Sequence, residues 1–214
     1  MDRKFANRFI SKLSKELGLS KRNKLAYLLV THHDLHSIVG FTFQGSGFVK
    51  NNFYCQLFIQ SLFIPQESLS PVVLTFSNGE RIESLWSEAE FESQEEWIVS
   101  KIRQFINDNS TLQKIYRNLA SGKSRFAYSS ILTLWKELLF ESIALSKYTE
   151  AEVYAKKIIE YSTTTPHEIE TIIQCQATQV LSYLTTKNYQ VLFDWLKDAQ
   201  AKAVVDLKIK SPDK

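Results

Sequence analysis

Alternating apolar residues between positions 36 and 64 predict two long antiparallel strands. In the first strand Val39, Phe41 and Phe43 share one face, which is the period-two pattern of a half-buried strand. The second strand repeats the pattern, and its apolar face carries Phe53, Cys55, Leu57 and Ile59. Because a shift of one residue would expose the whole apolar set, we expect the register to be fixed. The pattern therefore predicts one face covered by helices and one solvated face.

Further strands are predicted on both sides of this pair. Residues 24–31 favour a strand buried on both faces, because apolar residues occupy both alternating sets. Residues 72–76 predict a fourth strand, and Asn78-Gly79 favours a tight hairpin turn that returns residues 81–85 as an edge strand. The sequence thus predicts an antiparallel sheet of four or five strands.

An apolar stripe near the N-terminus predicts an amphipathic helix over residues 2–17. Phe5, Phe9 and Leu13 recur every four residues, and the basic residues of the segment lie on the opposite side. Gly18 is placed to end the helix in the left-handed conformation that glycine tolerates. We expect this helix to pack on the apolar face of the sheet.

Beyond residue 93 the apolar residues recur with a period near 3.6, which predicts helices. Ser93-x-x-Glu96 and Thr149-x-x-Glu152 fit the capping-box pattern, and Thr165 followed by Pro166 predicts another helix start. The apolar stripes include Ile131 and Ile169 as inward residues. The predicted helices cover residues 97–106, 110–120, 126–147, 149–161, 165–184 and 189–205.

These elements predict an α+β fold. It consists of an N-terminal helix, the antiparallel sheet, and a helical C-terminal half of packed α-hairpins. The expected organisation is a sheet domain over residues 1–92, a helical subdomain packed on it over residues 93–206, and a polar tail over residues 207–214.

Charge is segregated along the chain although the net charge is only +3. Residues 1–24 carry eight lysines and arginines, whereas residues 66–96 carry eight glutamates. Two solvated faces are the simplest interpretation. The alternatives are pairing within the fold, head-to-tail dimerisation, or a partner of opposite charge, including nucleic acid at the basic N-terminal helix.

Composition narrows the class of protein. A hydrophobic content of 44% is enough for a substantial core. No apolar run reaches the roughly 18 residues that cross a bilayer, and the N-terminus lacks a signal-peptide pattern, so we expect a cytoplasmic protein without a membrane segment. Cys55 and Cys175 lack metal-site spacing and are expected to be buried thiols.

The sequence His32-His33-Asp34-x-His36 is the densest set of metal-type ligands. Neighbours along an extended chain point in opposite directions, so His32, Asp34 and His36 are the residues that could converge without a sharp turn. The simplest interpretation is a polar connection between strands with His32 and His36 at its rim. A metal site or a general-base histidine is the alternative, and either would make the protein a metal- or histidine-dependent hydrolase.

Polar residues of the strand pair are the other candidates for ligand binding. Gln44, Gln56 and Gln60 fall on the face predicted to be solvated, and Ser46 lies in the glycine-flanked reversal between the strands. Amide and hydroxyl groups can order a ligand, although they are also common on a solvated sheet face. The sequence predicts no catalytic residue, no metal ligand set and no cofactor.

Three stretches of the chain resemble one bacterial family, the uncharacterised domain of unknown function 4304. They are ELGLSKRNKLAYLL, DLHSIVGFTFQGS and NNFYCQLFI, and Gln44 and Ser46 match the Gln-x-Ser pattern that closes a strand of the family. The resemblance implies a compact α+β domain with no established activity. It also implies a kinship with immunity proteins, which neutralise a toxin by binding it.

The function that follows is binding rather than catalysis. We expect a non-enzymatic cytoplasmic bacterial protein that acts through a protein–protein interface, with an immunity protein as the form that the resemblance implies. A groove between the helical hairpins is a further expected site, for a peptide. The sequence leaves the oligomeric state open.

Overall fold

The computed structural model describes residues 3–22, 25–45, 53–65, 72–74, 87–121, 131–161, 168–207 and 209. The strands in these ranges are β1 (Ser20–Arg22), β2 (Leu25–His32), β3 (Leu35–Gly45), β4 (Phe53–Ser61) and β5 (Val72–Leu74). The helices are α1 (Arg3–Glu16), α2 (Glu88–Ser93), α3 (Glu95–Asp108), α4 (Leu112–Ala120), α5 (Ile131–Ala144), α6 (Tyr148–Glu160), α7 (Glu168–Thr185) and α8 (Tyr189–Leu207). The predicted α+β class is confirmed.

The sheet is an antiparallel meander in which each strand pairs with its neighbour along the chain, in the order β1-β2-β3-β4-β5. The predicted strand pair is confirmed as β3 and β4, with Ser37 opposite Ser61 and Gly45 opposite Phe53. The short strand β1 carries no apolar alternation, which is why the sequence did not predict it. The predicted turn at Asn78-Gly79 and the edge strand over residues 81–85 lie outside the described residues.

Helix α1 ends as predicted. Gly18 adopts a φ of +65°, the N–H of Leu19 donates to the carbonyl of Ser14 at 2.8 Å, and the N–H of Gly18 donates to the carbonyl of Lys15 at 3.4 Å. These two bonds form a Schellman motif, which satisfies carbonyls at the end of the helix. The chain is thereby turned directly from α1 into β1.

The apolar face of the sheet packs against helices, as expected. Phe9 and Phe43 both meet the ring of Phe91 edge to face, at centroid distances of 4.5 and 5.3 Å. Helices α1 to α4 and part of α5 share this core with the odd-numbered residues of β3 and β4. Edge-to-face rings add specific geometry to the burial, so Phe91 holds α1, α2 and β3 together.

The prediction that the opposite face of the sheet is solvated is wrong. Ile38, Phe58 and Leu62 on that face are buried in a cluster with Ala203 of α8 and with Ile209. Gln60 on the same face is only 1% exposed. The face carries enough apolar side chains to attract a helix, and α8 covers it. Ile209, which belongs to the predicted polar tail, packs there too.

Two predicted helix starts differ from the structure. A capping box is formed by Ser87 and Glu90 at the start of α2, six residues before the predicted Ser93, whose hydroxyl instead donates to the carbonyl of Glu90 at 2.8 Å. Helix α6 begins at Tyr148, so Thr149 lies inside it rather than capping it. Several S/T-x-x-E matches occur in these segments, and the pattern alone does not choose among them. The predicted start at Thr165 lies outside the described residues.

Three side chains predicted to be buried are exposed. Ile131 is 42% exposed and Ile169 is 60% exposed, and both stand at the beginning of a described helix, where few neighbours cover them. Cys175 is also exposed, whereas Cys55 is buried as predicted. Cys175 falls on the outer side of α7 because the buried stripe of that helix runs through Ile173, Ala177 and Val180.

Helix α5 is the central element of the helical half. It contacts α4, α6, α7 and α8, and every residue from Glu137 to Ala144 is buried. A helix that is surrounded by others is buried on most of its sides, unlike the amphipathic helices at a surface, so Glu137 and Glu141 of α5 are buried as well. The predicted packing of helical hairpins is confirmed, with α5–α6 and α7–α8 as the two hairpins. Among the described residues no helix is long and apolar enough to cross a bilayer.

Candidate functional site

The histidine-rich segment forms a tight hairpin turn between β2 and β3. His33 and Asp34 have φ values of 46° and 66°, and His32 pairs with Leu35 across the turn. Positive φ at both central residues is the type I′ pattern, whose twist matches that of the flanking strands. Within the described residues no three His, Cys, Asp or Glu side chains lie close enough to hold a metal ion.

The individual histidines of the turn have separate surroundings. The rings of His32 and His33 meet at a centroid distance of 4.3 Å, and Nδ1 of His36 lies 3.1 Å from Oγ1 of Thr31. Partial burial and the adjacent His33 lower the pKa of His32, which favours its neutral form. His32 and His36, the residues predicted to line a site, are therefore not joined in one constellation with Asp34.

Gln200 of α8 fixes this turn from the other side. Its Oε1 accepts a hydrogen bond from the backbone N–H of His36 at 2.6 Å, and its Nε2 donates to the carbonyl of Asp34 at 2.8 Å. Nζ of Lys197 lies 3.8 Å from Oδ2 of Asp34. One amide side chain thus ties α8 to the turn and to the start of β3.

Replacing Gln200 with alanine is expected to lower the free energy of unfolding by about 1 to 2 kcal/mol, because two hydrogen bonds to backbone groups are lost. Gln190→Ala is the matched control, since within the described part of the chain exposed Gln190 bonds only Asp194 of its own helix, at 2.8 Å. The control is expected to cost under about 0.5 kcal/mol. Urea unfolding of both variants measures the difference, and equal losses would show that Gln200 does not fasten the turn.

The two helical hairpins have the same turn. Ser146 between α5 and α6 has a φ of 57°, and Lys187 between α7 and α8 has a φ of 54°. At both turns the following residue donates its N–H back into the preceding helix, from Lys147 to Ser142 at 2.8 Å and from Asn188 to Tyr183 at 2.9 Å. Each is a Schellman motif built without glycine. Each is followed by a tyrosine that begins the next helix.

These tyrosines stack on each other next to the histidine turn. The rings of Tyr148 and Tyr189 lie 3.9 Å apart with an interplanar angle of 7°. Together with the β2–β3 turn they line an open depression of about 480 Å³, which we name the turn face. Its residues are His33, Asp34, Ser146, Tyr148, Tyr189, Gln190 and Phe193.

Among the predicted binding residues, His32, His36, Gln56 and Gln60 do not line the turn face. Gln56 is half-buried in the middle of the sheet opposite Thr42, and Gln60 is buried beneath α8. Gln44 occupies a strand position near the end of β3, opposite Tyr54, and Ser46 lies outside the described residues. Tyr148, Tyr189 and Phe193 of the turn face were not among the predicted site residues, and His33 was named only as part of the histidine-rich segment. The signal for the tyrosines was present in Lys147-Tyr148 and Asn188-Tyr189, which recur at the same point of each hairpin.

Two basic residues of α1 pair with glutamates of the acidic stretch, so pairing within the fold, one of the expected alternatives, accounts for part of the opposed charge. Arg8 lies 2.8 Å from Glu92, and Lys12 lies 2.5 Å from Glu95. A further pair joins Arg103 of α3 to Glu16 of α1 at 3.1 Å. Pairs as exposed as these contribute only about 0 to 1 kcal/mol each. They nevertheless give Arg8 and Lys12 carboxylate partners, which compete with the phosphates that a nucleic acid would offer.

Two carboxyl groups are buried on the central helix. Glu141 is 0% exposed, and its Oε1 accepts a hydrogen bond from the hydroxyl of Ser61 at 3.0 Å. The hydroxyl of Ser61 in turn accepts a hydrogen bond from the hydroxyl of Ser37 at 3.1 Å. Oε2 of Glu141 has no hydrogen-bond partner among the described residues. Burial raises the pKa of Glu137 to about 7, and burial together with Glu137 raises the pKa of Glu141 well above its usual value. This pair lies in the interior and does not line the turn face.

The fold defines an α+β protein in which a five-stranded meander carries helices on both faces. The chain matches no protein-family model, no curated protein and no solved structure. The resemblance to the domain of unknown function 4304 therefore stays a prediction.

Proposed function

We propose that the chain is a non-enzymatic cytoplasmic protein that binds a partner protein through the turn face. The observation that carries the proposal is the convergence of three tight turns on one depression, where two stacked tyrosines and Phe193 lie beside exposed His33 and Asp34. Tyrosine is enriched among the residues that dominate binding energy at interfaces, because its ring buries a large area and its hydroxyl bonds at the edge.

The rigid backbone of the turn face also supports its role as a binding surface. The Schellman turns at Ser146 and Lys187 and the Gln200 bonds to the β2–β3 turn hold the backbone of the turn face before any partner arrives. A preorganised surface loses less conformational entropy on binding than a flexible loop does. Lys197 lies 5.7 Å from the centre of the Phe193 ring and 3.8 Å from Asp34, which places both charges at the rim.

A toxin is the class of partner that we propose. The support is the sequence resemblance, which implies immunity proteins that act by binding. Such a protein needs a preformed interface and no chemistry of its own.

The test is affinity purification of the full chain from its native cells, with the partner then expressed and its affinity measured with purified proteins. Tyr189→Ala is expected to weaken binding by about 30-fold or more, as truncation of a central interface tyrosine does. Gln190→Lys changes an exposed position of the turn face and is expected to weaken binding without touching the core.

Tyr183→Ala provides the control, because Tyr183 is a half-buried tyrosine of α7 outside the turn face. Its affinity is expected to equal that of the wild type. The proposal is overturned if Tyr189→Ala and Gln190→Lys bind the purified partner as tightly as the control. It is equally overturned if no partner is retained at any salt concentration.

A further inference from the structure

Strand β1 covers only one end of the outer edge of β2. It pairs with Leu25, Ala26 and Tyr27, whereas β2 continues to His32. Residues 28–32 therefore have β3 on one side and, among the described strands, no neighbour on the other. This length of extended chain spans about 16 Å, and we name it the open edge.

The backbone bonds of a strand alternate between its two neighbours, and the β3–β4 pairing shows which residues of β3 bond to β2. The N–H of Leu62, directly after β4, donates to the carbonyl of His36 at 2.9 Å. His36 therefore bonds toward β4, and by alternation the other even-numbered residues of β3 do the same. The odd-numbered residues of β3 bond toward β2.

This alternation leaves two residues of the open edge with outward backbone groups. Leu28 and Val30 stand opposite odd-numbered residues of β3, so both bond to β3. Leu29 and Thr31 stand opposite even-numbered residues and direct their N–H and carbonyl groups away from β3. In the described part of the chain neither has a backbone partner beyond the sheet. The open edge thus presents N–H donors and carbonyl acceptors to an incoming chain.

The partial exposure of the open edge agrees with its missing neighbour. Leu28 packs into the core on one face of the sheet and Leu29 into the cluster on the other face, yet both are only half-buried. Thr31 is exposed, whereas Tyr27, which β1 covers, is buried. Val30 is buried as well, so the packed core extends to the edge. A strand added here would therefore continue a packed sheet.

The open edge lacks the features that keep strands of different chains apart. Natural sheets protect their edges with lysines, prolines or bulges. Strand β1 carries Lys21 and Arg22, but residues 28–31, with the sequence LLVT, carry neither a charge nor a proline. An uncharged edge of β-branched and apolar residues favours pairing with another extended chain.

The open edge fits a second copy of this chain poorly. Antiparallel pairing that bonds both Leu29 and Thr31 of each copy is centred on Val30. That register places His33 of one copy opposite Tyr27 of the other, which is the position that Ser20 of β1 occupies. The free strand of a different protein meets no such obstacle.

The open edge is continuous with the turn face. It ends at His32, and the next residue, His33, lines the turn face. A partner seated on the turn face therefore has the open edge directly beside it. Only an extended chain offers backbone groups at the spacing of Leu29 and Thr31, because the backbone groups of a helix bond within the helix.

We propose that the partner protein of the turn face adds an extended segment to the open edge, as a further antiparallel strand of the sheet. The residues of that segment opposite Leu29 and Thr31 exchange backbone hydrogen bonds with them. Main-chain bonds supply the affinity in this mode of recognition, and the neighbouring side chains supply the specificity. The inference rests on the proposed function, since the same partner occupies both surfaces.

Amide hydrogen exchange of the full chain, resolved by residue in NMR spectra, tests the open edge. In the free chain the amides of Leu29 and Thr31 are expected to exchange at least about 100-fold faster than those of Leu28 and Val30, because only the latter are bonded in the ladder. Saturation with the purified partner is expected to slow Leu29 and Thr31 at least about tenfold. Equal protection of all four amides in the free chain would overturn the inference.

A proline variant tests the same edge through affinity. Thr31→Pro removes an outward N–H and leaves the β2–β3 ladder intact, because proline is tolerated where the N–H of an edge strand faces outward. It is expected to bind the purified partner at least about tenfold more weakly. Thr31→Val is the matched control, since it keeps the N–H and, like proline, lacks the hydroxyl that lies 3.1 Å from Nδ1 of His36. Its affinity is expected to stay within about threefold of the wild type.

The results separate this inference from the proposed function. If Tyr189→Ala weakens binding while Thr31→Pro binds like Thr31→Val, and the partner leaves the exchange of Leu29 and Thr31 unchanged, the turn face stands and the inference is overturned. If Thr31→Pro weakens binding and Tyr189→Ala does not, the open edge stands without the turn face. Protection of Leu29 and Thr31 that rises with the concentration of the chain alone would show a second copy on the edge and would also overturn the inference.

Discussion

Replacing Gly40 with alanine is expected to disrupt the pairing of β2 with β3 and to destabilise the fold strongly. A Cβ atom at Gly40 would lie 1.9 Å from the carbonyl oxygen of Ala26 and 2.8 Å from Cα of Tyr27. These are backbone atoms of the adjacent strand, so no side-chain rotation relieves the clash. Gly40 stands opposite Tyr27 and Phe58 in the middle of the sheet.

The loss is expected to be about 3 kcal/mol or more, at the upper end of what overpacking costs. The total free energy of unfolding of a domain is only about 5 to 15 kcal/mol. Circular dichroism and urea unfolding measure the effect. Gly18→Ala is the control, because an added Cβ there meets nothing within 4 Å and the cost is only that of a φ of +65°, about 1 kcal/mol. Equal stability of the two variants would refute the close approach at Gly40.

Raising the pH is expected to lower the free energy of unfolding. An ion-paired carboxylate would have the opposite effect, since it stabilises the fold as the pH rises. The pKa of Glu137 is raised from 4.5 to about 7, and that of Glu141 is raised well above 4.5. The folded chain therefore holds protons that the unfolded chain releases. The stabilisation from Glu137 is complete below about pH 4.5 and is lost as the pH rises through 7. The stabilisation from Glu141 is lost as the pH rises through the raised pKa of that group.

For Glu137 this loss amounts to about 3 kcal/mol, since one pKa unit corresponds to about 1.4 kcal/mol. Glu141→Gln retains an acceptor for Ser61 but cannot ionise, so its free energy of unfolding is expected to fall less between pH 7 and pH 9. Glu152→Gln is the control, because exposed Glu152 pairs only with Lys156. Urea unfolding at several pH values gives the profile. A Glu141→Gln profile as steep as that of the control would exclude the buried carboxyl as its source.

The sheet could be predicted because its signals are local. Alternation at Val39, Phe41 and Phe43 defines the face that packs against α1 to α4, and the register follows from it. The end of α1 at Gly18 could be predicted from the sequence in the same way. The burial of Phe58 and Gln60 could not be predicted, because it depends on where α8, from the far end of the described chain, packs. Nothing in the strand itself encodes that helix.

The candidate site shows the same limit. The sequence of the histidine segment suggested a set of metal ligands as one alternative. In the structure His33 and Asp34 adopt left-handed conformations, and the segment forms a hairpin turn. The bonds from Gln200 to this turn and from Ser61 to Glu141 join residues that are far apart in sequence. Sequence patterns report neighbours along the chain, and they do not report such pairs.

The cover that α8 provides for the second face of the sheet has a consequence during synthesis. The meander needs only neighbouring segments, so it can form while the ribosome is still translating the helical half. Ile38, Phe58 and Leu62 then face water until Ala203 and Ile209 emerge. A nascent chain stalled before α8 would present this bare apolar strip to chaperones and proteases, and the completed chain conceals it.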